Sequence, residues 1–449
     1  MTALLDRPAR TAAADLTLRR GAGRVLIDNW AGTSTVPSRT LYPHQWSWDS
    51  AFIAIGLRHL SARRAQRELE SLLAAQWGDG RIPHIVFNPA VPNGAYFPSP
   101  DFWRSSTAGA GVGAPAALET SGIVQPPVHA LAAWLVHRAH PAESRRRGFL
   151  GRVYPRLVAW HRYLLDRRDL GGGGLAAVVH PWEPGMDNSP CWDGALARIA
   201  PADRGSYRRA DLDHGHPADR PTDLDYGRYV RLAVDYRDAG YDDRAAAHPF
   251  RLEDPCVNAL LIASELALAE IARCVDGDAA AHEARAARLT EALVARLWDA
   301  DAGLFLARDL VDDTFVPARS VAGLVPLLAP GLPGDVVERL VATLAGPSFR
   351  ATATGLVPSY DLTGPAFDPT RYWRGPAWFN TAWLVERGLR THGLHARADR
   401  IRAALLDTAG ASGFAEYVDP TTGAARGARS FSWTAALALD LLTPEETPR

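Results

Sequence analysis

The sequence predicts an all-α protein in which helices carry the fold and β-structure is limited to short hairpins. Apolar side chains recur at the 3.6-residue spacing of amphipathic helices through most of the 449 residues. Neither a fixed sequence period nor a Pro/Gly/Ser-rich linker is evident, which argues against a solenoid and against separable domains. About a dozen helices in one continuous domain, residues 1–449, indicate a closed double ring, although an irregular α-bundle would contain as many.

The helical pattern marks a series of segments, in chain order residues 16–31, 48–60, 62–76, 127–140, 147–167, 222–239, 254–275, 279–299, 318–329, 334–345, 375–392, 395–409 and 430–442. Strand patterns are short: "GLFLARDL" is one, and "GFAEYVDPTTGAARG" predicts a hairpin that turns around Pro420 to Gly423. Two long irregular segments remain, near residues 77–126 and 171–221. Loops of this length in a compact protein usually form functional rims or lids, so we expect both beside a site.

Composition and charge exclude several classes of protein. The formal net charge is -1 and no stretch is strongly basic, so we expect neither a nucleic-acid partner nor a membrane surface as partner. The amino terminus has no apolar core of signal-peptide length, and the three cysteines form no CxxC spacing. These features predict a soluble, cytoplasmic protein. The sequence leaves a homo-oligomer open, since no interface can be read from one chain.

The loop "PWEPGMDNSPCWD", residues 181–193, combines carboxylates, tryptophans and helix-breaking prolines. Tryptophan is costly to leave in water and an unpaired carboxylate is costly to bury, so the loop should line a cleft. We expect Asp187 to lie between Trp182 and Trp192, whose apolar walls would favour its protonated form. The alternative is a rim loop whose Asp and Asn side chains cap turns.

A second aromatic cluster, "LYPHQWSWDSAF", begins a predicted helix and contains Trp46, Trp48 and Asp49. Ser47 is placed to act as the N-cap of that helix. Aromatic faces stack on sugars, and Asp49 offers a carboxylate to hydroxyl groups. The alternative is that Asp49 only complements the helix dipole.

Two further clusters lie beside predicted helix starts. "DRPTDLDYGRY" contains Arg220, whose planar guanidinium suits a carboxylate, and the hydroxyl of Tyr226. "RYWRGPAWFNTAWL" contains Tyr372, Trp373 and Trp378. Their ordinary alternatives are an arginine paired with a neighbouring Asp and apolar packing of the aromatic rings.

Glu416 supplies a second carboxylate in "FAEYVDPTTG", where it alternates with apolar neighbours. A lone Glu in a hairpin usually faces solvent. A Glu and an Asp from distant loops, both among aromatic residues, are nevertheless what glycoside hydrolysis requires: one protonated acid for the leaving oxygen and one carboxylate to attack carbon or activate water. Asp187 and Glu416 are therefore the candidate catalytic pair.

Other chemistries find little support in the sequence. It has no GxSxG or HExxH motif, and a GxxxxGK phosphate loop is impossible because the chain contains no lysine. "GAGVGA", residues 109–114, lacks the preceding strand of a dinucleotide site. "DLDHGH", residues 211–216, lacks the register of a calcium loop, and an HxH in a polar loop is usually solvated. We expect neither a cofactor nor a bound metal.

Five motifs together resemble bacterial glycoside hydrolase family 63, and most closely its glucosylglycerate and mannosylglycerate hydrolases: "YPHQWSWD", "WEPGMDNSPCWD", "RPTDLDY", "YWRGPAW", and "FAEYVDPTTG" followed by "FSWTAA". They occur in this order between about residues 41 and 436, most of the chain. The resemblance implies an (α/α)6 toroid, a six-hairpin barrel of helices. It also implies inverting hydrolysis, without metal, of an α-glycoside that is small and anionic.

The resemblance also implies roles for individual residues. Asp187 corresponds to the general acid and Glu416 to the base that activates water. The sugar site corresponds to Tyr42, Trp46, Trp48, Asp49, Trp182, Tyr372, Trp373 and Trp378. The segments "NGAYFPSP" and "SGIVQPPVHA" resemble those that meet glycerate, which places Tyr96 and Gln125 beside Arg220. The preference for glucose or mannose, the true aglycone, and the roles of Cys191 and residues 194–219 stay open.

Two alternatives to a hydrolase remain at the level of the sequence. A sugar epimerase or isomerase of a related toroid would transfer protons with histidines, for which His44, His84 and His180 are available. A catalytically silent carbohydrate-binding protein would keep the aromatic cleft and release no sugar. Substitution of Glu416 discriminates a hydrolase from an epimerase, because an epimerase would keep its activity without Glu416 and a hydrolase would lose it.

Overall fold

Helices dominate the computed structural model, which describes residues 10–108, 112–213, 217–244, 248–350 and 355–443. The described helices of eleven residues or more are α1 (Ala12–Asp28), α2 (Ser47–Leu57), α3 (Ala62–Ala74), α4 (His129–Ala139), α5 (Phe149–Arg167), α6 (Asp223–Asp238), α7 (Pro255–Cys274), α8 (Ala279–Leu297), α9 (Gly334–Ala345), α10 (Phe379–Thr391), α11 (His395–Ala411) and α12 (Ser432–Leu442). Shorter helices cover Pro100–Trp103, Pro141–Arg146 and Asp193–Ala197.

The helices form two concentric rings. The inner ring consists, in order, of α2, α4, α7, the 3-10 helix Val321–Leu328, α10 and α12, and α12 packs against α2 to close it. Each inner element packs against an outer helix, in the same order α3, α5, α8, α9, α11 and α1. The first long helix of the chain is therefore the outer partner of the last. This arrangement is the predicted (α/α)6 toroid.

Burial differs between the rings as the amino-acid pattern requires. Every residue of α2 is buried, and its sequence is apolar on all sides. Outer α3 buries one face only. The inner helices also approach closely: a Cβ added to Gly56 of α2 would lie 2.3 Å from the backbone of Ala436 in α12. A glycine at this crossing is what lets the ring close.

Two predicted helix boundaries need correction. The chain enters α1 at Ala12 rather than at residue 16, because the Thr11 side chain caps the helix by accepting a hydrogen bond from the backbone N–H of Ala14. The helix predicted for residues 318–329 is the 3-10 helix Val321–Leu328. Pro326 lies inside it and has no N–H for an α-helical bond.

The strands are pairs of residues that join loops at the ring openings. In chain order they are β1 (Gln45–Trp46), β2 (Ile85–Val86), β3 (Ala177–Val178), β4 (Leu252–Glu253), β5 (Trp298–Asp299), β6 (Leu304–Phe305), β7 (Arg308–Asp309), β8 (Thr314–Phe315), β9 (Ala377–Trp378), β10 (Tyr417–Val418) and β11 (Ala425–Arg426). All pairings are antiparallel, in the orders β1-β2, β3-β4-β7-β8, β5-β6 and β9-β10-β11. The β10–β11 hairpin matches the predicted turn, with Tyr417 opposite Arg426.

Several strands lead directly into inner helices, which places their residues at one mouth of the ring. β1 precedes α2, β4 precedes α7, and β9 precedes α10. The two predicted rim segments pack above this mouth and contain short helices and strands as well as irregular loop. Residues 109–111 of the glycine-rich stretch and the HxH pair at residues 214–216 lie outside the described residues.

The long apolar helix α7 belongs to the inner ring. Among the described residues it alone is long and apolar enough to cross a membrane, and 83% of its apolar window is buried inside the protein. Burial of this kind is expected for a core helix.

Candidate active site

One pocket at the mouth of the inner ring, about 770 Å³ including its open end, collects the predicted site residues. Its lining includes Tyr42, Trp46, Trp48, Asp49, Tyr96, Gln125, Trp182, Asp187, Arg220, Tyr226, Tyr372, Trp373, Trp378 and Glu416. These side chains come from motifs as far as 374 residues apart in the chain. Their chemical roles remain predictions, which the local geometry makes specific.

Glu416 is held in the pocket as a hydrogen-bonded carboxylate and is only 1% exposed. It lies just before β10, and its Oε2 accepts a 3.0 Å bond from the backbone N–H of Ala428. Its Oε1 lies 3.0 Å from the hydroxyl of Tyr42 and 3.3 Å from that of Tyr372. Burial raises the pKa of Glu416 above its ordinary value, while the charge of Arg220 and these hydrogen bonds lower it. The donors therefore favour the ionised form.

Asp187 lies in the same pocket, where burial shifts its pKa in the same direction as that of Glu416. Its backbone carbonyl accepts a 2.6 Å bond from the Tyr229 hydroxyl, which fixes the main chain and leaves the carboxyl group directed to the pocket. Desolvation in the narrow pocket raises the pKa of Asp187 to about 7, although Arg220 opposes the shift. A carboxyl group with this pKa carries its proton at neutral pH in a large fraction of molecules.

The loop that carries Asp187 is anchored by an ion pair of a neighbouring residue. Both oxygens of Glu183 accept bonds from Arg168, at 2.6 and 2.7 Å, and both groups are fully buried. The same carboxylate accepts bonds from the backbone N–H groups of Val124 and Val179. Glu183 thus ties the Asp187 loop to the segment that carries Gln125, and it has no access to the pocket.

The expectation that Asp187 lies between two tryptophans is half correct. Trp182 lines the pocket. Trp192 is 1% exposed in a neighbouring apolar cluster, and its indole N–H donates a 2.7 Å bond to the carbonyl of Met186. The opposite wall is Trp48, against which Gly185 packs so closely that an added Cβ would lie 2.4 Å from the ring. The short loop turns at Gly185, with φ +73°, so Trp192 points away.

Asp49 is a third carboxyl group in the pocket, in the first turn of α2. Burial, and after it the charge of Glu416, raise the pKa of Asp49 well above its ordinary value. The prediction that Ser47 is the N-cap of this helix is wrong. Its hydroxyl bonds to the ring of His129 at 2.9 Å. Trp46 occupies the cap position in extended conformation and makes no side-chain capping bond.

The aromatic wall is built from rings that order one another. Trp373 and Trp378 stack with centroids 3.8 Å apart and planes inclined by 2°. Tyr372 contacts Trp378 edge to face at 5.0 Å, and its backbone adopts φ +32°. A positive φ is unfavourable for a tyrosine, and such conformations concentrate at functional sites. The strained turn directs the Tyr372 hydroxyl to Glu416.

The side chains assigned to the aglycone, Tyr96, Gln125 and Arg220, line the same pocket. Nη1 of Arg220 donates a 3.2 Å bond to the Tyr42 hydroxyl, and its guanidinium lies 4.5 Å from the Tyr372 ring centroid. Gln125 accepts a 3.1 Å bond from the backbone N–H of Trp48 through Oε1. The Tyr226 hydroxyl donates to the Phe97 carbonyl, so its ring, rather than its hydroxyl proton, faces the pocket.

The structure adds pocket residues that the sequence argument missed. Asp211 lines the pocket and lies 3.5 Å from Nε of Arg220, which gives Arg220 the acidic neighbour considered as its ordinary alternative. Trp433 and Phe431, from the "FSWTAA" motif, and His84 also line it. The "FSWTAA" motif was the signal that could have found Trp433, whereas Asp211 begins the "DLDHGH" stretch, which the sequence argument considered only as a metal site. No cluster of three or more His, Cys, Asp or Glu suited to a metal ion occurs in the described part of the chain.

Comparison with known proteins agrees with this geometry. The protein-family sequence model of the mannosylglycerate hydrolase MGH1-like glycoside hydrolase domain matches residues 42–434. A mannosylglycerate hydrolase of Rubrobacter radiotolerans is 43% identical over 448 residues, covering 97% of this chain and 99% of the relative. A glucosylglycerate hydrolase of Mycolicibacterium hassiacum is 38% identical over 435 residues, covering 94% and 96%.

A solved structure extends the match to three dimensions. The crystal structure of the family 63 mannosylglycerate hydrolase from Thermus thermophilus, in complex with Tris and D-glycerate, superposes with a TM-score of 0.86 at 40% identity. The match covers 94% of this chain and 99% of that chain. The protein therefore belongs to the MGH1-like hydrolases of glycoside hydrolase family 63 and is a glycoside hydrolase built on an (α/α)6 toroid.

Proposed function

We propose that this enzyme hydrolyses a small anionic α-glycoside, with mannosylglycerate and glucosylglycerate as the candidate substrates, and releases the free sugar and glycerate with inversion at the anomeric carbon. The names of its relatives support this substrate class, as does the D-glycerate in the Thermus thermophilus structure. The pocket volume of about 770 Å³, which includes its open end, suits a molecule the size of a disaccharide.

The observation that carries the proposal is the contrast between two carboxyl groups in one pocket. Asp187 has a raised pKa of about 7 and serves as the proton donor. Glu416 accepts bonds from a backbone N–H and tyrosine hydroxyls, which stabilise a carboxylate that serves as the base. Such a division into one acid and one base is the requirement for glycoside hydrolysis.

The reaction follows from these two roles. Asp187 gives its proton to the glycosidic oxygen as the bond between that oxygen and the anomeric carbon breaks. A water molecule attacks the anomeric carbon from the opposite face, and Glu416 takes the proton that the water loses. The α-glycoside thus yields a β-sugar and the hydroxyl group of glycerate. Proton exchange with solvent returns Asp187 and Glu416 to their starting forms.

The remaining pocket residues position the substrate. We assign the sugar to the aromatic wall formed by Trp46, Trp48, Trp373 and Trp378. The carboxyl group of Asp49 is assigned to hydrogen bonds with the hydroxyl groups of the sugar. The glycerate carboxylate is assigned to Arg220, the largely buried cation of the pocket. A guanidinium in a low-water site attracts a carboxylate more strongly than it would in bulk water.

Hydrolysis is favoured over the epimerase alternative by the state of the histidines. Desolvation lowers the pKa of His44 and of His180 to about 4 each, and that of His84 to about 3. The His180 Nε2 is bonded to the Tyr229 carbonyl, and the His44 Nδ1 accepts from the backbone N–H of Asn88. Of the three histidines, His84 is the one that lines the pocket, and a pKa of about 3 makes it a weak base at neutral pH.

The proposal is tested by substrate comparison. Purified enzyme is supplied with mannosylglycerate, glucosylglycerate and glucosylglycerol, the neutral counterpart that lacks only the carboxylate. Release of free sugar is followed over time, and kcat/KM is determined for each. We expect turnover of one or both glycerate glycosides and a kcat/KM for glucosylglycerol lower by a factor of about 10 or more. Equal turnover of the neutral glycoside would overturn the anionic aglycone.

A further inference from the structure

An arginine outside the pocket holds a carboxylate that lines it. Arg209 is 5% exposed and belongs to the rim segment before α6. Its Nε and Nη2 donate to the two oxygens of Asp211, both at 2.8 Å. Asp211 lines the pocket, whereas Arg209 does not. Arg209 therefore reaches the substrate only through the carboxylate that it holds.

Arg209 is fixed from several directions. Its Nη1 donates to Asp223 at 2.8 Å and its Nη2 to the Pro221 carbonyl at 2.9 Å. The guanidinium also lies 4.3 Å from the ring centroid of Tyr226. A planar guanidinium held by carboxylates, a carbonyl and an aromatic face has little freedom to turn. The two-point bond to Asp211 is therefore part of a buried, ordered network and not an exposed surface ion pair.

Arg220 is the second arginine near Asp211. Asp211 lies 3.5 Å from Nε of Arg220, which is a loose ion pair and not a hydrogen bond. Both oxygens of Asp211 accept bonds from Arg209, and this two-point bond fixes the carboxylate in an orientation that leaves it 3.5 Å from Nε of Arg220. The guanidinium of Arg220 instead bonds to the Tyr42 hydroxyl and lies over the Tyr372 ring at the pocket surface.

We propose that Arg209 is a positioning residue that determines selectivity for anionic substrates. By occupying Asp211, it prevents that carboxylate from closing on Arg220 and keeps Arg220 available for the carboxylate of the substrate. This inference rests on the proposed function, in which Arg220 meets the anionic aglycone. It adds that the selectivity is set by two residues, Arg209 and Asp211, that the resemblance to the family did not bring forward.

The arrangement predicts that R209Q weakens binding of the anionic substrate and that adding D211N restores it. In R209Q, Asp211 loses its two-point partner and turns to Arg220, so the substrate carboxylate must displace an internal one. In R209Q/D211N, residue 211 no longer offers a carboxylate to Arg220, and binding of the anionic substrate returns. A purely structural role for the pair predicts instead that KM rises for the anionic and the neutral glycoside alike, because a rim that has lost a buried ion-pair partner is disturbed for both substrates.

The experiment compares glucosylglycerate with glucosylglycerol in the full-length enzyme and in R209Q, R209K and R209Q/D211N. We expect R209Q to raise KM for glucosylglycerate about tenfold, with a smaller change in kcat and with KM for glucosylglycerol changed by less than about twofold. R209K, which keeps the charge but not the planar fork, should lie between wild type and R209Q. The double variant should recover most of the lost selectivity.

The outcomes separate this inference from the function on which it rests. A wild-type enzyme that shows no preference for the anionic glycoside overturns both. A wild-type preference that R209Q and R209K leave intact overturns the role of Arg209 alone, as does a double variant less selective than R209Q. Melting temperatures accompany each variant, and R209K, the milder change, decides the question if R209Q does not fold.

Discussion

The hydroxyl of Tyr42 lies 3.0 Å from Oε1 of Glu416 and 2.9 Å from the hydroxyl of Tyr372. Both hydroxyls lie within donating distance of Oε1 of Glu416, and they are also close enough for one to donate to the other. Arg220 donates to the same Tyr42 oxygen at 3.2 Å. Tyr42 therefore connects the proposed base to the cation assigned to the aglycone.

Removal of this hydroxyl is expected to change the pH dependence of the reaction. The Tyr42 bond favours ionised Glu416, so Y42F should raise the pKa of Glu416, and a higher pH is then needed to ionise the base. The acidic limb of the kcat/KM profile should move upward by about one pH unit. Y154F is the matched control, since the Tyr154 hydroxyl bonds to His282 away from the pocket. An unmoved acidic limb in Y42F would contradict the assignment of Glu416 as base.

The alkaline limb of the wild-type profile reports the acid. Desolvation makes the ionised form of Asp187 costly and raises its pKa to about 7, and the acid works only while it is protonated. Activity should therefore fall as the pH rises above about 7, by roughly tenfold for each further pH unit. The profile of kcat/KM between pH 5 and about 9 measures this limb. A flat profile through that range would rule out Asp187 as the group that delivers the proton.

Substrates with good leaving groups should distinguish the acid from the base. An aryl α-glycoside with an acidic phenol as leaving group needs little protonation, so D187N should recover much of its lost activity on it. E416Q should stay inactive on every substrate, because the attacking water still lacks a base. Rates for the two variants on glycerate and aryl glycosides test the pair. Equal recovery in both variants would mean that the roles are not divided as proposed.

The close packing of the acid loop makes a single methyl group costly. G185A places a Cβ 2.4 Å from the Trp48 ring at a backbone φ of +73°, so the loop must shift and carry Asp187 with it. We expect kcat to fall by about 100-fold or more while the protein stays folded. G194A, in the short helix that follows, meets no atom within 4 Å and should be close to wild type. Similar kcat values for both variants would show that the loop position is not critical.

The sequence predicted the helical rings well because their signal is local and repeated. Inner helices such as α2 and α7 are apolar over many consecutive turns, so their existence and order could be read from spacing alone. The strands beside the pocket could not be read in this way. A pair such as β1 and β2 has two residues in each strand, too few for an alternating pattern to be seen.

The sequence predicted site residues whose chemistry suggests a role. It did not predict the direction in which a loop side chain points. Asp187 and Glu416 were predicted from carboxylates placed among aromatic residues, and both line the pocket. Trp192 was wrongly placed in the cleft, because spacing along an irregular loop does not fix where a side chain points. Arg209 and Asp211 were missed, since adjacent opposite charges in a loop look the same whether they are solvated or built into a pocket wall.

The most direct test of the central claim is proton NMR of the anomeric signals at the start of hydrolysis of glucosylglycerate or mannosylglycerate. A base that activates water on the face opposite the leaving group predicts that the β-sugar appears first, with the α-anomer growing later by mutarotation. Early appearance of the α-sugar would contradict this account, because it would require Glu416 to attack the anomeric carbon itself instead of activating water.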